Sequence, residues 1–244
     1  MSQTIQRATE LIEFIAEAPR TLADCAARFD SHRSTVFRQL QTLQQAGFLL
    51  HGSDSRYTIG PRIISIAHEA LDHIDLRRVA HDELRALHSR VGNTIHLAQL
   101  LEDSIVYIDK VEDTNGVRMY SRIGKPVLPH CTGVGKVILS RLPVQRRDEV
   151  LAGTDWSRHT PSTLTSRAAL DSQLEVIAER GWGVDDGEFE DFMNCIAAPV
   201  SNSTGDILGA ISISSIRVVN DLDALTAHVD ELLETAARIS RQLG

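Results

Sequence analysis

The sequence predicts an α+β protein in two parts: a winged helix-turn-helix over residues 1–60 and an antiparallel-sheet domain with helices over residues 76–244, joined by a linker helix at 61–75. Three observations predict it. The first sixty residues read as three short helices and a hairpin. Apolar spacing then stays helical from about residue 62 to 90. Beyond Gly92 it shifts to strands separated by turn signals, among them Asp103-Ser104 and Asn115-Gly116.

The elements follow in order. Ile5, Ala8, Leu11, Ile12 and Ile15 recur at i, i+3, i+4 spacing, and Pro19 ends that helix. Thr21 is placed to cap a second helix, with Asp24 three residues on and Leu22, Cys25, Ala26 and Phe29 as its apolar face. A third helix starts near Ser31 and runs to Gln45 on a buried stripe of Val36, Phe37, Leu40 and Leu43, with Gly47 as its stop. Strands at 48–50 and 56–59 flank the turn-rich residues 51–55. The helical stretch that follows carries an apolar stripe of Ile63, Ile64, Ile66, Ala67 and Leu71, suited either to a second copy or to packing on its own chain. Strands are expected at 94–101, 104–111 and 117–121, helices at 135–142, 146–151 and 167–180, strands at 183–186, 196–201 and 207–214, and a last helix over 222–243.

Composition narrows the function classes. No stretch nears 18 uninterrupted apolar residues and the N-terminus has no basic-then-apolar leader, so no membrane span or secretory signal is expected. Three cysteines, Cys25, Cys131 and Cys195, form no C-x-x-C pair, which points to a reducing, cytoplasmic setting without a disulfide framework. The net charge of −8 argues against a nucleic-acid partner. However, residues 1–60 balance Arg7, Arg20, Arg28, Arg33, Arg38 and Arg56 against six acids, so the excess of negative charge lies beyond them.

The third helix presents Ser31, His32, Arg33, Ser34, Thr35, Arg38 and Gln39 on its early polar side. Arginine forks onto guanine, glutamine pairs with adenine, and hydroxyls hold phosphates. With Thr21 before it and Arg56 on the hairpin wing, these form the DNA-facing set. A small packing domain with a solvated polar face has the same layout, and layout alone does not separate the two.

Two clusters in the second part carry possible chemistry. The run 130–136, ending Gly133-Val134-Gly135-Lys136, fails as a phosphate loop, because His130 stands at the first glycine position and Val137 follows the lysine. What remains is either an anion site of backbone N–H groups at a helix start or a tight turn needing glycine. The run 183–188 holds Asp185, Asp186 and Glu188, which suit a ligand hydroxyl or a metal, or are simply a surface loop. Catalysis through Cys131 or Cys195 with His130 or His96 as base has no supporting local signature, and a cysteine among Ile and Ala is usually core. His68, His73, His81 and His88 lack i, i+4 metal spacing. No catalytic residue, metal or cofactor is expected.

Several segments together resemble the IclR family of bacterial transcriptional regulators over almost the whole chain. In the DNA-binding half these are residues 33–40, 47–49 and 57–60; in the effector half, 121–124 and 132–137. The family's signature, Gly-x3-Asp-x2-Glu-x6-Cys, reads here as Gly181, Asp185, Glu188 and Cys195, then Ile196, Ala197 and Pro199-Val200. Ser201 departs from the family's usual aromatic or His. Residues 94–97, 102–108 and 117–124 resemble, within the family, the 2-keto-3-deoxygluconate repressor group. The resemblance implies a homodimer, often paired into a tetramer, on palindromic double-stranded operator DNA, with a GAF-like effector domain whose sheet is covered on one side by helices. It implies a repressor of catabolic genes released by a small organic acid. An activator is the alternative, and a sensor acting through protein contacts remains open from the residues. By position the resemblance puts anion contacts on Gly133 and Val134, polar contacts on Asp185, Cys195, Ser212 and Ser214, and apolar walls on Met119, Val127 and Met193.

Overall fold

A computed structural model describes residues 3–72, 75–112 and 121–244. The chain folds into two units, Met1–His73 and Ile74–Gly244.

In the first unit, helix α1 (Gln3–Glu17) precedes a two-residue strand β1 (Arg20–Thr21), helices α2 (Leu22–Arg28) and α3 (Arg33–Gln45), strands β2 (Leu49–His51) and β3 (Arg56–Ile59), and helix α4 (Pro61–Asp72). Helix α2 starts where it does because Thr21 and Asp24 form a reciprocal capping box: each side chain accepts from the other's backbone N–H. Helix α3 ends at Gly47, whose φ of +79° no β-branched side chain tolerates, and the chain reverses into β2. The two strands expected as a hairpin pair antiparallel, Leu49 opposite Ile59. Strand β1 was not expected; it pairs with β3, placing Thr21 opposite Arg56, and gives the order β1-β3-β2. Leu11, Ile15, Cys25, Ala26, Val36, Leu40, Leu49 and Tyr57 form the core. Phe37 is not part of it. It is 41% exposed, because its helix turns that face away from α1 and α2. The apolar stripe on α4 is likewise open, with Ile64 68% and Ile66 46% exposed.

The second unit begins with helix α5 (Asp75–Val91) and strands β4 (Thr94–Leu101) and β5 (Ser104–Val111). Helices α6 (Gly133–Arg141), α7 (Val144–Leu151) and α8 (Arg167–Arg180) follow. Then come strands β6 (Gly183–Asp186), β7 (Met193–Ser201) and β8 (Ile207–Ile216), and helices α9 (Leu222–Thr226) and α10 (Val229–Gln242). The five strands are antiparallel in the order β5-β4-β8-β7-β6. The strand expected at 117–121 falls almost wholly outside the described residues, and Ser121 itself is not in a strand.

Alternation along the strands splits the unit into two apolar layers. Ile95, Leu97, Ile196, Ala198, Ile211 and Ile213 face α5 and α10; Ala98, Ala197 and Ala210 face α6, α7 and α8. Helices therefore cover both faces of the sheet, which corrects the expectation of one covered side. The last helix is also two: the chain breaks at residues 227–228, where the His228 N–H donates to the Leu225 carbonyl instead of continuing the ladder.

Candidate functional site

On the first unit, the early polar side of α3 is open. His32, Arg33, Ser34, Thr35 and Arg38 are exposed, while Ser31 and Gln39 are half-buried and line a shallow groove with Arg7 and Glu10 of α1. The α3 N-terminus has no side-chain cap, so its first N–H groups remain available to an anion such as phosphate. Among the described residues neither Arg33 nor Arg38 makes an ion pair, so both are free to reach a partner. Two expected contacts are occupied within the fold. The Thr21 hydroxyl is held 2.8 Å from the Asp24 carboxylate, and the Arg56 guanidinium donates to the Pro19 carbonyl at 3.2 Å and lies 3.7 Å from Asp54.

On the second unit, a cavity of about 280 Å³ opens on the α6 face of the sheet. Val127, Gly133, Val134, Asp185, Met193, Cys195, Ser212 and Ser214 all line it; Met119 lies outside the described residues. Register brings them together. Asp185 sits opposite Cys195, and Cys195 opposite Ser214. Gly133 is required there: a Cβ would lie 2.9 Å from Cys195 Sγ and 3.3 Å from the Ala197 Cβ. Thr132 caps α6 by accepting from the Gly135 N–H, which leaves the Gly133 and Val134 N–H groups for a bound anion.

The signature residues act as a strut beneath this cavity. Gly181 closes α8 in the left-handed conformation. Asp185 Oδ1 accepts from the Glu188 N–H at 2.7 Å. The Glu188 carboxylate pairs with Lys136, which is fully buried on α6 and also donates to Gln173 at 2.7 Å. Thr160 and Thr163 donate to the Gly187 and Glu188 carbonyls, both at 2.6 Å. Burial pushes the Asp185 carboxyl up to about 7; the hydrogen bond from the Glu188 N–H opposes the rise, the Glu188 charge adds to it and Lys136 counters it.

Several cavity residues were not singled out as ligand contacts: His96, Tyr107, Ser121, Lys125, Thr132, Phe189, Glu190 and Asn194. His96 is central. Its Nε2 lies 2.7 Å from Ser121 Oγ, and its Nδ1 lies 3.4 and 3.3 Å from the Ser212 and Ser214 hydroxyls. Burial, then Lys110, lowers its pKa to about 3, so the ring is neutral. Strand alternation could have found it, because His96 stands opposite Ser212 on the same face. Burial holds the Cys131 and Cys195 thiols up at about 12, far from reactive thiolates. Among the four helix histidines, His81 bonds Asp109 at 2.7 Å and His88 bonds the Asn93 carbonyl at 2.8 Å; His73 and the His68 side chain lie outside the described residues.

Residues 68–241 match the family described as bacterial transcriptional regulator IclR C-terminal, and residues 4–51 match the IclR helix-turn-helix domain. The chain belongs to the IclR family. The HTH-type transcriptional regulator KdgR of Escherichia coli (strain K12) is 34% identical over 224 residues, covering 91% of this chain and 85% of that protein. The IclR crystal structure from Thermotoga maritima superposes with a TM-score of 0.84 at 31% identity, over 100% of both chains. An IclR homologue from Microbacterium hydrocarbonoxydans, complexed with 4-hydroxybenzoate, shares the fold with a TM-score of 0.85 at 23% identity over 99% of both chains. This IclR chain is thus a DNA-binding transcriptional regulator with a helix-turn-helix and an α+β C-terminal domain. Among the described residues no helix is long and apolar enough to cross a membrane.

Proposed function

We propose that this regulator is a repressor of catabolic genes, bound to operator DNA through α3 and released when a small organic acid fills the cavity of the second unit. The cavity carries the reading. It joins free N–H groups at Gly133 and Val134, which suit a carboxylate, to the Ser212 and Ser214 hydroxyls, Asp185 and neutral His96, which suit a keto or hydroxyl group. The Microbacterium homologue's ligand is also a carboxylate, though the likeness at that identity extends to fold alone. The DNA-facing set is Thr21, Ser31, His32, Arg33, Ser34, Thr35, Arg38, Gln39 and Arg56, in which Thr21 and Arg56 serve mainly to shape the wing. Residues 1–60 read DNA, 61–75 link, and 76–244 sense.

The protein works as a homodimer, able to pair into a tetramer, and the open Ile64 and Ile66 on α4 supply an apolar surface for that contact. It acts in the cytoplasm, where Cys25, Cys131 and Cys195 stay free thiols. It is not an enzyme: Cys131 and Cys195 are held as thiols, and the neutral His96 ring is engaged by Ser121 and bonded to neither cysteine.

Gel shifts on the DNA beside its own gene test the first half. Arg33→Ala and Arg38→Ala each weaken binding by roughly 1–3 kcal/mol if they read bases. Unchanged affinity in both removes α3 from the interface. A thermal-shift screen of small carboxylates tests the second half, since a ligand at a hundred times its Kd stabilises by about 2.7 kcal/mol.

A further inference from the structure

We propose that His130, Cys131 and His159 form a binding site for a borderline divalent transition-metal ion, zinc above all, beside the effector cavity. None of the three lines that cavity, and the site stands whether or not the cavity binds an acid. One ligand atom from each residue lies within 4.8 Å of the others. His130 is fully buried, yet neither of its ring nitrogens has a hydrogen-bond partner among the described residues. A buried neutral imidazole has one donor and one acceptor to satisfy, so two unmet nitrogens mark a missing partner. A metal takes the lone pair outright.

The donor set selects the ion. Two imidazoles and a thiolate suit zinc and reject the hard, oxygen-seeking magnesium and calcium. Tetrahedral zinc needs ligand atoms about 3.4–3.6 Å apart, so the cluster closes by roughly 1 Å. His159 provides that movement, because it is exposed between α7 and α8 while its neighbours Thr160 and Thr163 are pinned to the Gly187 and Glu188 carbonyls. Its ring lies 6.5 Å from that of His130, which Trp156 flanks at 5.1 Å. Solvent supplies the fourth ligand on the exposed side. The buried Cys131 thiol gives up its proton to solvent as the sulfur–metal bond forms, and the cation offsets the buried thiolate.

The test titrates the purified, tag-free full chain with zinc and, for its spectrum, with cobalt(II). One ion binds per chain, with a sulfur-to-cobalt charge-transfer band, and affinity rises about tenfold per pH unit because one proton is released. His159→Ala, an exposed change checked by circular dichroism, and Cys131→Ala both abolish the band, whereas Cys195→Ala keeps it. Absence of stoichiometric binding in the natural chain overturns the proposal. So does a band that survives His159→Ala or vanishes with Cys195→Ala, the latter placing the metal in the effector cavity.

Discussion

The two units bury different things. The core of Met1–His73 is apolar, and the groups that would meet DNA stand outside it on α3. In Ile74–Gly244 the interior also holds His96, Asp109, His130, Lys136, Asp185 and Glu188, and every buried polar or charged residue among those described belongs to this unit. The contrast follows from the task each performs. A surface that reads DNA needs only a rigid support for exposed donors. A cavity that holds a small polar molecule must bring polar groups inside, where each must be paired. The first unit therefore keeps its polar contacts, such as the Thr21–Asp24 capping box, at the surface, and the second gives up some stability for an interior that can recognise a ligand.

The largest effect expected from this contrast is at Lys136. Lys136→Met strands the Glu188 carboxylate in the interior and destabilises the second unit by on the order of 3–5 kcal/mol. Both tryptophans, Trp156 and Trp182, lie in that unit, so their fluorescence during urea unfolding reports it directly. A loss under about 1 kcal/mol would mean the pair contributes little. Leu40→Ala makes a cavity in the first unit's core and costs roughly 2–5 kcal/mol there. DNA binding is lost while the tryptophan transition stays put. A matching shift in that transition would show that the units unfold as one.

A smaller effect with a pH signature is expected at Asp185. Its folded pKa, about 7, lies above the unfolded value of 3.8. The folded state holds the proton more tightly, so stability from this group is full below about pH 4 and is lost as pH rises through about 7. Asp185→Asn removes the ionisation, and Asn can still accept from the Glu188 N–H. The variant is more stable by on the order of 1–3 kcal/mol at pH 8, and the gain shrinks toward pH 4. A gain independent of pH would point to packing instead of charge.

Much of the first unit was legible because its signals are local. The capping pair Thr21 and Asp24, the stop at Gly47 and the alternation in β3 all lie within a few residues of what they cause. Strand β1 was not legible, since two residues carry no period and their partners in β3 are far along the chain, Tyr57 for Arg20 and Arg56 for Thr21. Phe37 misled because spacing gives a helix its apolar face but not what covers that face. In the second unit α8 and β6 fall where periodicity puts them, and the signature marked the hairpin that carries Asp185 and Cys195. The Lys136–Glu188 pair spans 52 positions and left one signal unused: α6 is buried on all sides from Gly133 to Leu139, so a lysine within it needs a partner. His96 was weighed only as a base, although its place opposite Ser212 put it on the cavity face.

The most direct measurement follows the anisotropy of labelled operator DNA bound to the natural chain while a carboxylate that raises the second unit's melting temperature is added. Release of the DNA over the same concentrations, weakened in Ser212→Ala/Ser214→Ala, is the predicted result. An acid that stabilises the second unit yet leaves the complex intact, or tightens it, would contradict the account.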